Sequence, residues 1–458
     1  MKKSHIILGA SVAFALSLTG AQAGVPADVA DRLGKDLTPM GSQRSGNAAG
    51  TISAWDGGLA EPPAGSNYKI GDRHPDPFPE DQILFTITSA NAAQYADNLT
   101  ETSATMLKTY PDTYKMNVYQ SRRTCAQPPA IYEVTKQNAL NSRLTSGGDG
   151  LEGAIRATAF PIPSTAQEML WNHKLKFRNF KLTRQFAAVA PTRGGDYTLV
   201  TVQDEVLQNY SDPSKTDIKQ LGNISLKYIA NTIAPARSAG NVVLVHETID
   251  QRQGNRKAWV YSPGTRRVRR APNIAYDNPG TNSDGLQTTD SFGMFNGAMD
   301  RYDWTYVGRG EYYIPANNYR MAQRDIPYET IFTAGGHINQ DLPRYELTRA
   351  WVVEANLRSD TRHIYKKRKF WIEPDAWLVV NTSQYDGRGE LWRLQEAFPQ
   401  TFYEVPVCLR VGAVSYDLNA GRYLANAFIN HETQINFFAD ELNEERYTPD
   451  SIRRLGVR

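Results

Sequence analysis

Between Val242 and Phe398 the chain passes through one strand-like segment after another, and this succession limits it to sheet architectures. The predicted strands are Val242–Thr248, Lys257–Ser262, Trp304–Ile314, Leu347–Arg358, Lys366–Ile372, Trp377–Tyr385 and Glu390–Phe398. Each is enriched in β-branched and aromatic residues and bounded by turn formers. Side chains alternate across a strand, so Leu347, Trp351, Val353, Ala355 and Leu357 define an apolar face opposite Thr348, Glu354, Asn356 and Arg358. The link Asp386-Gly-Arg-Gly389 has hairpin length, and a Ser-Pro-Gly turn after Lys257–Ser262 leads into a basic strand. Such links join antiparallel neighbours, whereas parallel strands need long crossovers. The expected class is mainly β (α+β), with a curved antiparallel sheet over an apolar lining. Hydrophobic residues at 40% suffice for a large core, and 24 Tyr and 8 Trp favour surfaces apolar in body and polar at the rim.

Lys2, Lys3 and His5 precede an apolar run from Ile6 to Leu18 and the small-residue site Ala21-Gln-Ala23, the pattern of a cleavable secretory signal over residues 1–23. The run of 13 residues is short against the roughly 20 of a spanning helix, and no Cys follows to take a lipid. The expected location is therefore the periplasm, with cleavage after Ala23; an uncleaved anchor is the alternative. Losing Lys2 and Lys3 would lower the formal charge of +3 by two, too near neutrality for a nucleic-acid partner. Residues 24–80 are rich in Gly and Pro and read as an extended arm, and residues 81–458 as one large domain. Helices are expected near 89–110, with Ser89 as the cap and Pro111 as the stop, and near 164–177, where Ser164-Thr-Ala-Gln167 has capping-box spacing. The tail from Tyr447 reads as a short capped helix.

Motifs that carry chemistry are sparse. There is no Gly-x-Ser-x-Gly, no His-Glu-x-x-His, no phosphate-binding glycine loop and no calcium loop, so neither catalysis nor a cofactor is expected. His74, His173, His246, His337, His363 and His431 are widely spaced, and ordinary hydrogen-bonded roles are preferred to metal binding. Asp277, Asp284, Asp290, Asp300 and Asp303 lie near Arg266, Arg267, Arg269 and Arg270, and pairing between the two sets is expected to pin the loop between them. The alternative role for these arginines is contact with an anionic head group. Cys125 and Cys408 either pair in an oxidising compartment or serve as small buried apolar residues.

Several strings occur in order: Gly147-Gly-Asp-Gly-Leu-Glu-Gly153, Phe160-Pro-Ile-Pro163, Trp171-Asn-His173, Arg266-Arg-Val-Arg-Arg-Ala-Pro-Asn-Ile-Ala-Tyr-Asp277, Asp300-Arg-Tyr-Asp-Trp304 and Tyr385-Asp-Gly-Arg-Gly-Glu-Leu-Trp-Arg393. With these the chain, over roughly residues 120 to 400, resembles the domain of unknown function 1329 branch of the periplasmic lipoprotein-carrier superfamily. The resemblance implies an incomplete β-barrel around an apolar cavity, with helices over its open side. It also implies a carrier for a lipid or other hydrophobic ligand, serving traffic to or from the outer membrane, with outer-membrane or export-pump proteins as partners. Within that frame Trp171, Trp259, Tyr261, Phe292, Met294, Phe295, Met299, Trp304 and Trp351 are candidates to line the pocket. Taken singly, each is as well explained by core packing. The competing functions are a non-catalytic envelope interaction or sensing module of the same fold and, third, a lipid or ester hydrolase.

Overall fold

The structure, a computed structural model, describes residues 24–456 apart from Pro272, Asn273 and Ala275. The expected signal over residues 1–23 lies outside the described residues. Strands β1 (Phe85–Ile87) and β2 (Met116–Tyr119) precede a small ladder of β3 (Arg143–Leu144) with β4 (Leu151–Glu152). A first meander follows as β5 (Lys181–Val189), β6 (Val200–Leu207), β7 (Ile224–Ala234), β8 (Val242–Thr248), β9 (Lys257–Ser262) and β10 (Arg267–Arg270). The second comprises β11 (Tyr302–Pro315), β12 (Tyr345–Leu357), β13 (Lys367–Glu373), β14 (Leu378–Tyr385), β15 (Leu391–Phe402), β16 (Val407–Asp417) and β17 (Arg422–Phe428).

Within each meander every strand pairs antiparallel with the next, β17 pairs with β5 to join the two, and β1 and β2 complete one fifteen-stranded sheet. The expected antiparallel rule has one exception, a short parallel contact of β2 with β12 at Tyr345 and Glu346. The sheet is strongly curved and not closed: β1 and β10 end its strand order without pairing to each other, and β11 lies off that order, paired to β12. Register shifts at Thr201/Val202, Ile224/Leu226, Trp371/Ile372 and Ala397/Pro399 mark where strands bend. An extra residue on one strand increases local twist, and repeated bulges curl a wide sheet.

The helices are α1 (Ala27–Ala30), α2 (Glu101–Thr109), α3 (Pro129–Asn141), α4 (Ala166–Leu175), α5 (Tyr328–Ile331) and α6 (Pro449–Gly456). The helix expected over 89–110 is divided: a 3-10 turn at Ala92–Asn98 ends at an extended Leu99, and α2 restarts because the Thr100 side chain accepts from Ser103 N. At α4 the capping box is made by Thr165 and Glu168, one residue later than the spacing from Ser164 suggested. Glu168 also accepts from the backbone N–H and hydroxyl of Ser164, so three donors at the helix entry are satisfied by one carboxylate.

The single apolar face expected of β12 is in fact two buried faces. Val353 and Ala355 pack in the cluster around α4, while Ala350 and Val352 pack with Trp371, Leu378 and Cys408 on the opposite side. Residues from the 24–80 segment lie against β11 and β12: Arg349 donates to Ser45 O, and Asn47 donates to Glu311 of β11. Arg123 ties this segment to the sheet, reaching Asp375 at 2.8 Å, Ser42 Oγ at 3.1 Å and Arg44 O at 3.0 Å. Cys125 and Cys408 are joined in a disulfide beneath it. Over the second meander, α2 and Tyr319–Leu342 cover the face carrying Leu394, Phe398 and Tyr416.

Candidate functional site

Inward-facing residues of the first meander follow the period of two: Leu182, Phe186 and Ala188 on β5, Val202 and Val206 on β6, Tyr228, Ala230 and Thr232 on β7, Val243 and Val245 on β8. They form the floor of a cavity of about 260 Å³. Helix α4 closes one side with Trp171, Lys174 and Leu175, and the segment 276–296 crosses the top through Gln287, Thr288, Phe292 and Phe295. The volume exceeds that of engineered apolar cavities of about 150 Å³ that accept benzene.

The covering segment owes its position to buried polar anchors. Asp290 accepts from Arg368 at 2.5 Å, from His363 at 3.0 Å and from the Thr288 hydroxyl at 2.6 Å. Burial opposes ionisation of Asp290, but the Arg368 charge and the His363 and Thr288 hydrogen bonds outweigh it and hold the carboxyl well below its usual range. Arg393 donates to Gly285 O at 2.7 Å, Arg422 to Asp284 at 2.7 Å, and Gln287 donates to Ser415 at 3.2 Å. The segment is thus pinned to β13, β16, β15 and β17 at once.

Helix α4 is held as firmly. The Trp171 indole donates to Gly148 O at 2.9 Å, and His173 lies between the carbonyls of Trp377 (3.1 Å) and Gly293 (3.0 Å) while accepting from Val379 N. Burial keeps the His173 imidazole well below its ordinary pKa, with the neighbouring Lys176 and Arg178 charges adding to the effect. Lys174 is buried over the Trp171 ring and donates to Gly297 O at 2.8 Å; burial pushes its pKa down to about 8.

Of the residues singled out from the sequence, Trp171, Phe292 and Phe295 line the cavity. Met294, Met299, Trp304 and Trp351 join Trp171 and Phe295 in the adjoining apolar cluster, where Trp304 packs on Phe295 and Phe370 and its indole donates to Met299 O. Trp259 and Tyr261 lie on the other face of the sheet, because their register partners Leu244 and Val242 point away from the cavity toward Tyr447 and Ile452 of the C-terminal tail. Pairing of Arg266, Arg267, Arg269 and Arg270 with the nearby aspartates is not what the structure has. All four are exposed at the β10 edge and make no ion pair or side-chain hydrogen bond among the described residues. The loop is pinned by other arginines, since Asp284 and Asp290 pair with Arg422 and Arg368, while Asp303 in β11 pairs with Arg358. Charges on an edge strand instead discourage further strand pairing.

The floor strands β5, β6 and β7 were missed by sequence reasoning. Their inward positions include Arg184 and Asp204, an ion pair that breaks the apolar alternation. His74, His173, His246, His337, His363 and His431 each have their own local partners, and among the described residues no group of three or more His, Cys, Asp or Glu side chains could hold a metal ion. Among the described residues no helix is long and apolar enough to cross a membrane.

Fold and site together define a class: an open, curled β-sheet that encloses a covered, largely apolar cavity. The chain belongs to the family described as Protein of unknown function (DUF1329), which matches residues 86–453. It is 45% identical over 464 aligned residues to "Uncharacterized protein PA3922" of Pseudomonas aeruginosa, with both chains covered in full. Among solved structures it is similar to a DUF1329 family protein from Desulfovibrio piger, at 12% identity and a TM-score of 0.41, covering 60% of this chain and 92% of that one. It is also similar to the LolA superfamily protein NE2245 from Nitrosomonas europaea, at 14% identity and a TM-score of 0.38, covering 63% and 99%.

Proposed function

We propose that this protein binds and carries a hydrophobic ligand, a lipid or other apolar molecule, in the periplasm. The observation that carries the reading is the cavity of about 260 Å³ between the β5–β8 floor and the anchored segment above it. Apolar surface buried there contributes about 25 cal/mol per Å², or about 0.8 kcal/mol for each methylene withdrawn from water. Binding of this kind needs no covalent step. Outer-membrane or export-pump partners would receive or supply the ligand.

The test is uptake of the neutral fluorescent probe N-phenyl-1-naphthylamine by delipidated protein, alongside mass spectrometry of organic extracts from protein purified out of the periplasm. Ala230→Phe places a ring into the cavity from the middle of its floor. Saturable uptake by the parent chain that falls at least tenfold in Ala230→Phe supports the reading. Equal uptake by both chains, or none by either, refutes it.

A further inference from the structure

The cavity wall is largely apolar and also carries a set of cations. Lys174, Lys176, Arg178, Arg184, Arg256 and Arg410 all line it, against the single carboxylate of Glu247. Two of the six are neutralised: Arg256 pairs with Glu247 and Arg184 with Asp204. The other four have no carboxylate within ion-pair distance among the described residues. Lys176 donates to His173 O at 2.6 Å and Arg178 to Lys174 O at 3.3 Å, so both also cap the C-terminal carbonyls of α4. That role leaves donors unused. Among the described residues Arg178 Nε is buried with no partner, and the Arg410 guanidinium makes no hydrogen bond and rests over the Phe292 ring at 5.4 Å.

Resting on the carrier reading, we infer that the cavity takes an amphiphile: an apolar chain along Phe186, Val202 and Tyr228, with a carboxylate or phosphate head received by Lys176, Arg178 and Arg410. Buried cations are normally paired, and a guanidinium presents five donors in a planar fork that matches either anion. Burial pushes Arg410 down to about 9 and Arg178 to about 10, and the charges of Arg184 and, for Arg410, Arg178 add to the shift. An anion among them would relieve that repulsion. Gly293 sits against Arg410, where a Cβ would stand 3.2 Å from Nη1, so the covering backbone approaches the guanidinium without a side chain between them.

Calorimetric titration of delipidated protein with palmitate, hexadecyl phosphate, hexadecanol and inorganic phosphate tests the inference. Palmitate or hexadecyl phosphate should bind about tenfold to a hundredfold more tightly than hexadecanol, the range expected of charge-assisted hydrogen bonds. The tighter of the two names the head group as fatty acid or phosphate ester. Arg410→Met should remove that advantage while hexadecanol binding persists, which also shows that the variant is folded; Arg410→Lys should restore part of it. Hexadecanol binding as tightly as both anions overturns the anionic subsite and leaves the carrier reading standing. Inorganic phosphate binding as tightly as hexadecyl phosphate overturns the amphiphile. Failure of all three chains to bind removes the carrier reading and the inference together.

Discussion

Replacing Asp290 by Asn is the sharpest test of how the cavity is covered. Arg368 is fully buried, and its charge is met by Asp290 at 2.5 Å while its second amino group donates to Ser291 Oγ at 3.0 Å. Asn keeps the shape and removes the counter-charge, which leaves a buried guanidinium uncompensated at a cost of about 3–5 kcal/mol. The loss should concentrate in the covering segment, whose amides bond within it: Asp290 N to Tyr276 O at 3.0 Å, Met294 N to Ser291 O at 3.1 Å, and Asn296 N to Asp290 O at 2.9 Å. Hydrogen exchange followed by mass spectrometry reads this directly. With tenfold for each 1.4 kcal/mol, exchange across 276–296 should accelerate by roughly 140-fold to 4,000-fold, while β12 and β13 change much less. Adding Arg368→Met should recover most of the protection, because the unpaired charge is then gone. The linkage has a definite sign: Asp290 is depressed in the folded state, so its stabilisation is full above its unfolded value near 4 and is lost as pH falls below that. Acceleration under tenfold, or spread evenly through the sheet, would refute the anchoring role.

Three further outcomes are expected. Cys125→Ser removes a bridge between residues 283 apart in sequence and should cost about 2–5 kcal/mol, visible as a lower thermal midpoint that reductant no longer shifts. Glu396, buried among the hydroxyls of Tyr114, Tyr345 and Tyr416, is raised by burial to about 7; its stabilisation is full below pH 4.5 and is lost as pH rises through 7. Glu396→Gln should therefore flatten the decline in urea midpoint between pH 5 and 8, a difference of roughly 3 kcal/mol from the shift. Ala230→Phe should retain its fold and lose probe uptake, as circular dichroism and fluorescence titration will report.

Strand identity was legible wherever local propensity and turn chemistry agreed. Val242–Thr248 and Lys257–Ser262 read from the sequence have the bounds of β8 and β9, and the Asp386–Gly389 link joins β14 to β15 as an antiparallel hairpin. Helix α4 could be placed because a capping signal is local, although the Ser164 to Gln167 spacing put it one residue before the box that Thr165 and Glu168 make. The cavity was far less visible. Trp171, Phe292 and Phe295 carried a signal as large apolar residues, but Lys176, Arg178 and Arg410 carried none, because a basic residue in sequence looks the same whether it ends in solvent or in a cavity.

A period of two assigns side chains to opposite faces of a strand without saying which face will be covered, and that limit runs through the whole molecule. By itself the sequence determined an antiparallel, hairpin-linked sheet and the approximate place of its helices, because those depend on residues close along the chain. Only the tertiary structure decided that Trp259 and Tyr261 face the tail, that Cys125 meets Cys408, and that Arg368 rather than Arg266 to Arg270 holds the covering segment. Each of those facts joins residues far apart in the chain, and it was settled by how the sheet curls and what packs on its two faces.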